Sequence, residues 1–254
     1  MISWESLSLC FGPASKTHME RGAGAIDSRE FPGFRLRGRE VSRLESFSDA
    51  VFGFALTLLV VSLDVPRTFS DLLNTMRGFP AFAICFILLA VIWNSHYKFC
   101  RRYGLDDGTA RFLTCVMLFL VLFYVYPLKF LFNFSVTGLL FSGAGQPESI
   151  TRSQFGVLLV IYGLGFAAVY LALTLLYLHA YRLRDTLELN ELERFDTRYL
   201  IFRLTILVAF GLIAALLAYI PVTRNLSTLV YFLLFPILRT SRIIHRRRRA
   251  IYLR

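Results

Sequence analysis

Cysteine is scarce in this 254-residue chain and poorly placed for bonding chemistry. Cys10, Cys85, Cys100 and Cys115 form no CxxC and no Cys/His ligand spacing, so neither a disulfide framework nor a metal site is expected. Three of them lie in or beside apolar blocks and read as packing residues. Residues 1–42 hold no apolar run long enough for a signal-peptide core. No internal repeat is detectable, so any pore symmetry must come from several chains. An inverted repeat with broken midplane helices, the usual mark of a secondary transporter, is equally missing. The repeated arginines of a voltage sensor are absent too, and the lone Arg203 reads as a side chain snorkelling to the headgroups. Acid is in short supply, 17 Asp and Glu against 28 Lys and Arg.

What the chain has in quantity is apolar sequence: 56% hydrophobic and 15% aromatic residues, with a mean hydropathy of +0.57. These residues come in long blocks rather than stripes, as in a chain whose solvent is lipid. The expected fold is all-α, a polytopic membrane protein. Six apolar blocks run over about 48–65, 80–97, 111–127, 155–180, 200–220 and 226–239. A span needs about 17–25 helical residues. The sixth block is short enough to be a re-entrant segment instead. Charge arbitrates: with six spans and both termini inside, all basic residues but Arg67, Arg77, Lys129, Arg152 and Arg224 fall on the inner side. A re-entrant sixth block would carry the basic C-terminal residues outside. The expected organisation is a disordered basic cytoplasmic tail over 1–42, a six-span domain over 43–239 and a basic cytoplasmic tail over 240–254. Met19 offers an alternative start. The stretch 128–152 reads as an interfacial segment on the outer face, and Gly163 with Ala167 and Gly211 with Ala215 as small-xxx-small pairs for close helix packing.

The basic run Arg246 to Arg249 is of a kind that can bind nucleic acid. In a membrane chain the same charge sets topology and meets anionic headgroups, so lipid rather than nucleic acid is the expected contact.

The first block, RLESFSDAVFGFALTLLVVSLDVP at 43–66, opens with charge and hydroxyls. An acid inside hydrocarbon costs about 2.5–3.5 kcal/mol on insertion scales, so Asp49 requires a partner or a purpose. At about 100° per residue, Phe47, Phe54, Leu58 and Val61 fall on one stripe, and Asp49 turns away from it. The second block supplies partners in VIWNSHYKF: Trp93, Asn94 and His96. A polar network of Arg43, Ser48, Asp49, Trp93 and His96 at the inner end of a helix pair would satisfy each group, as glue between helices. A proton relay through Asp49 and His96 is the sharper alternative. A hydrolytic Ser48, Asp49 and His96 set is disfavoured, because adjacent helix positions face different ways and no oxyanion-hole motif lies nearby, so no enzyme is expected.

Arg43, Phe47, Ser48 and Asp49 form an RxxxFSD pattern, followed by AVFGFALTLLVVSLDVP. Together with WNSHYKF at 93–99 and a third span ending at Pro127, it resembles the signature of the transmembrane protein 175 family, cation channels of lysosomes, endosomes and many prokaryotes. The single six-span unit is similar to the prokaryotic form, which implies a homotetramer around a central pore, potassium as the permeant ion and no cofactor. The resemblance further implies that the first helix lines the pore, with Phe54 at the constriction and Thr57 as the threonine assisting selectivity. Phe54 departs from the Ile or Leu usual there, and four phenyl rings about an axis would narrow or reshape the path. Leu58 and Val61 continue the stripe already read from spacing. Such a ring gates by excluding continuous water. Asp64, at the outer end, would become a ring of carboxylates drawing cations to the mouth, or is simply a solvated helix end. The expected function is a potassium leak channel of the cell membrane; a proton-coupled transporter and a non-conducting scaffold are the rivals.

Overall fold

A computed structural model of the chain describes residues 33–61, 67–140, 151–221 and 224–252. Among them are seven helices: α1 (Arg43–Val61), α2 (Phe69–Arg77), α3 (Phe79–Tyr103), α4 (Gly108–Leu140), α5 (Arg152–Arg182), α6 (Glu191–Tyr219) and α7 (Arg224–Tyr252). Four are long and apolar enough to cross a membrane: α3, α4 over Gly108–Leu128, α5 over Ser153–Arg182 and α6. The architecture is all-α.

Local chemistry explains the helix ends. Thr68, Thr151 and Asn190 each close a capping box with the residue three positions on, Asp71, Gln154 and Glu193. The reciprocal bonds satisfy two backbone N–H groups that a helix start leaves without partners. α3 carries Pro80 in its first turn, where a missing N–H costs nothing. It stops at Gly104 in the left-handed region, φ 59°, with its N–H on the Cys100 carbonyl. A Cβ on Gly104 would also stand 2.9 Å from backbone atoms of Arg37 and Gly38.

α1 packs on α3 and α4, α4 on α5, α5 on α6, and α6 on α7. The α5–α6 contact carries the small-residue pairing in full. A Cβ on Gly163 would meet the Gly211 carbonyl at 2.8 Å and Ala215 at 3.0 Å, and one on Gly211 would meet the Gly163 carbonyl and Ala167 at similar range. Two helix backbones therefore touch, an arrangement that suits lipid, where dispersion rather than water drives helix association. Toward the C-terminal end of α3, Phe99, Tyr103 and Tyr177 form an aromatic cluster with centroids 5.4–5.7 Å apart. The Tyr103 hydroxyl is hydrogen-bonded to Thr197 at 2.8 Å.

The elements differ from expectation in four places. Gly33 to Ser42, expected from sequence as part of a disordered tail, packs as a strap across the C-terminal end of α3 and the start of α6: Phe34 is fully buried, and the Gly38 N–H donates to the Arg101 carbonyl at 3.1 Å. The strap is clamped by Glu193, whose carboxylate accepts from the Arg35 N–H at 2.7 Å and from Arg37 Nη2 at 2.8 Å. α2 is a short helix between the first two blocks, with Phe69, Leu72, Leu73 and Met76 exposed on one i, i+3, i+4, i+7 face. α4 does not end at Pro127 but continues to Leu140, absorbing the backbone bond that the proline removes. α7 likewise runs through Pro236 to Tyr252, so the basic residues expected as a separate tail extend the last helix. That extension is tied to α6, where the Asp196 carboxylate meets His245 Nε2 at 3.0 Å and Arg249 Nη2 at 3.1 Å. Burial holds His245 below the usual imidazole range despite the pull of Asp196.

Candidate functional site

α1 has two unlike faces. Leu44, Ser48, Phe52, Ala55 and Leu59 are buried against α3 and α4, at the spacing of one helix stripe. The opposite face carries Phe47, Phe54, Thr57 and Leu58, all exposed, with Phe54 at 68%. Gly53, one turn on from Asp49 and about 100° round from Phe54, is exposed as well, and a Cβ built there meets nothing within 4 Å among the described residues. Three of the four positions of the expected stripe thus share one outward face. Val61 is the last residue of α1, and Asp64 lies outside the described residues. Thr57 Oγ1 donates to the Phe54 carbonyl at 2.8 Å, which spends its proton within the helix and leaves the hydroxyl oxygen as an acceptor.

The polar residues expected to form one network separate into three groups. Asp49 accepts a hydrogen bond from Trp93 Nε1 at 2.7 Å, the pairing of first and second motif expected from sequence. Ser48, fully buried, donates to the Leu44 carbonyl at 2.7 Å and so needs no partner on another helix. His96 is buried against Phe52 and Phe99, with Nε2 3.4 Å from Thr114 Oγ1 and both ring nitrogens 3.9 Å from Cys100 Sγ. Among the described residues nothing joins His96 to Asp49, and Arg43 is exposed without a hydrogen bond to either. The proton relay and the hydrolytic set, which both need Asp49 beside His96, are not assembled.

Sequence reasoning missed the partner that completes the Asp49 contact. Trp93, Tyr97 and Arg101 follow one another at i, i+4 and i+8 along α3: Trp93 stacks on Tyr97 at 5.7 Å, and the Arg101 guanidinium lies 5.5 Å over the Tyr97 ring. Arg101 Nε then reaches Glu45 at 3.5 Å. Glu45 and Asp49, one turn apart on α1, therefore bind Arg101 and Trp93, two turns apart on α3, in an antiparallel ladder. Burial raises the Glu45 carboxyl above its ordinary value, against the lowering effect of Arg101. The signal available in the sequence was the i, i+4 spacing of the two acids. The strap completes the corner, since Arg101 Nη1 donates to the Gly38 carbonyl at 3.0 Å. Beyond α3, His179 Nε2 meets Asp107 at 2.9 Å. Burial works to raise Asp107, yet this contact holds it below its ordinary value. Among the described residues no group of His, Cys, Asp and Glu is arranged to hold a metal.

The described residues form helices, four of them apolar and of membrane length, and this makes the chain a multi-pass membrane protein. Comparison with known proteins gives its kinship. The family model described as endosomal/lysosomal potassium channel TMEM175 matches residues 43–127, the interval from the start of α1 to Pro127. A potassium channel of Marivirga tractuosa is 38% identical over 218 residues, covering 82% of this chain and 88% of that protein. A potassium channel of Chamaesiphon minutus is 30% identical over 105 residues, 38% of this chain and 52% of that one. A crystal structure of a variant of the potassium channel MtTMEM175, in complex with a nanobody–MBP fusion, matches with a TM-score of 0.76 at 38% identity, over 85% of this chain and 98% of that one. The chain belongs to the TMEM175 family.

Proposed function

We propose that this protein is a potassium leak channel of the cell membrane, a homotetramer of six-span chains with both termini in the cytoplasm. α1 from each copy faces a shared axis, Phe54 and Leu58 make the constriction, and Thr57 lies beside it. The observation that carries the reading is the split of α1. One face is committed to α3 and α4, while another leaves Phe47, Phe54 and Leu58 exposed among the described residues. A narrow apolar ring of this kind stops ions by dewetting until it widens. The kinship with proteins named as potassium channels supplies the ion. Asp64 and Val61 continue the path outward in this reading, and Asp49 serves as a fastening between α1 and α3 rather than as a permeation group. Lipid contacts the remaining exposed apolar faces.

Purified protein in liposomes tests the proposal. Potassium efflux that collapses when a thiol reagent modifies Phe54→Cys or Leu58→Cys supports the pore. Flux that requires a proton gradient would instead indicate a coupled transporter, and no flux of any monovalent cation a scaffold. Either result ends the channel reading.

A further inference from the structure

α6 and α7 enclose a groove of about 700 Å3 at the inner end of the molecule. It runs along α6 from Phe195 to Ile206 and along α7 from Pro236 to Arg248. At 1.5 Å per helical residue each side is about 16–18 Å long, close to half of a hydrocarbon core about 30 Å thick. The groove is therefore the length of one leaflet.

Its two ends differ in chemistry. The end deeper in the spans is lined by Phe202, Ile206, Pro236 and Ile237. The end nearest the basic terminus of α7 carries Arg198, Arg248, Tyr199, Ser241 and His245 beside Phe195 and Ile244, so both arginines of the groove are at this end. That polar end is held in shape: Ser241 Oγ donates to the Tyr199 hydroxyl at 3.2 Å, and the His245 ring stacks 3.8 Å from Tyr199. Arg198 uses Nε on the Tyr181 hydroxyl, one of its five N–H donors. Arg248 is exposed and makes no ion pair among the described residues. No carboxylate lines the groove. Asp196, next in sequence to Phe195 of the lining, is already matched by His245 and Arg249.

We infer that this groove binds an anionic phospholipid of the inner leaflet, with an acyl chain along Phe202 and Ile237 and the phosphate at Arg198 and Arg248. Charge selects the occupant. A second copy of the chain seated here would have to supply acid to two arginines, whereas the anionic inner leaflet supplies it everywhere. A neutral lipid would leave the same arginines without a counter-charge. The apolar lining of Phe202, Ile206, Pro236 and Ile237 distinguishes a lipid from a free anion, which has nothing to place there.

The test is lipid retention by the full-length protein, measured by native mass spectrometry after exchange from phosphatidylglycerol or from phosphatidylcholine. Phosphatidylglycerol should be retained about tenfold better than phosphatidylcholine, and Arg198→Gln with Arg248→Gln should remove that preference. Ile237→Trp, which fills the apolar end, should lower retention of both. If the double arginine variant does not fold, competition on the wild-type protein decides. Phosphatidylglycerol should resist displacement by millimolar inorganic phosphate and yield to excess phosphatidylglycerol of another chain length. Equal retention of the two lipids, displacement by inorganic phosphate, or an interchain disulfide formed by Phe202→Cys would each overturn the inference.

Discussion

Asp49 illustrates how one side chain can be costly and still be fully accounted for by structure. Its oxygen takes the indole N–H of Trp93, and Glu45 one turn earlier takes Arg101, so the acids of α1 fix its rotation against α3. Asp49→Asn should lower the melting temperature or the assembled fraction while leaving the potassium-to-sodium ratio of surviving channels unchanged. A changed ratio at unchanged stability would place Asp49 on the ion path instead. Glu45 gives the pH counterpart. Its folded-state value is raised by burial, so the folded protein holds this proton more tightly than the unfolded chain does. The associated stability is present below the unfolded value of about 4.3 and is lost as pH rises through the raised folded value. Glu45→Gln should flatten that part of a melting-temperature profile between about pH 4 and neutrality, and a variant curve parallel to wild type would refute the assignment. Glu188 is a third case. It sits in the left-handed region at φ 49°, a conformation that costs a non-glycine residue about 1–2 kcal/mol. Its ion pair with Arg35 is exposed and contributes little, and Arg37 uses only its carbonyl. Glu188→Gly should therefore raise stability by up to about 1 kcal/mol in a denaturation experiment.

At the scale of elements, the α5–α6 contact depends on the absence of side chains. Gly163→Ala and Gly211→Ala each push a methyl to within 3 Å of the facing carbonyl, and backbone on both sides has nowhere to rotate. Each should destabilise by about 1–3 kcal/mol, seen as a lower melting temperature in detergent. This pairing was legible in the sequence because small residues at i and i+4 leave a recognisable mark, and the apolar blocks were legible because lipid demands length. The Asp49–Trp93 contact was legible because an acid at the edge of an apolar helix calls for a donor. The strap at Gly33 to Ser42 was not, since its order comes from Phe34 burial and from Arg37 reaching Glu193, more than 150 positions away. The continuation of α4 and α7 through Pro127 and Pro236 escaped for a related reason. Proline reads locally as a helix end, yet packing against a neighbour or a run of helix-forming arginines can carry the helix past one lost bond. His96 was grouped with Asp49 because both are polar and near in sequence register, but helix rotation turns it toward Thr114 and away from Trp93.

For the whole molecule, the decisive property of α1 is that its exposed face is designed by omission. Phe54 and Gly53 are both exposed, about 100° apart on the helix, and a Cβ added at Gly53 would meet nothing within 4 Å among the described residues. Gly163 is the opposite case, a glycine whose added side chain collides inside the chain. The two positions therefore separate folding from assembly. Gly163→Leu should abolish folding, giving aggregated or degraded protein in membranes. Gly53→Leu should leave the individual chain as helical and as thermally stable as wild type, while shifting its particle mass downward and abolishing potassium flux. That outcome follows only if α1 meets other copies of itself around an axis, because lipid would accept an extra leucine on the same face without penalty. A Gly53→Leu protein of unchanged mass and undiminished flux would put the Gly53 side of α1 against lipid, and the copies would then have to meet through other faces.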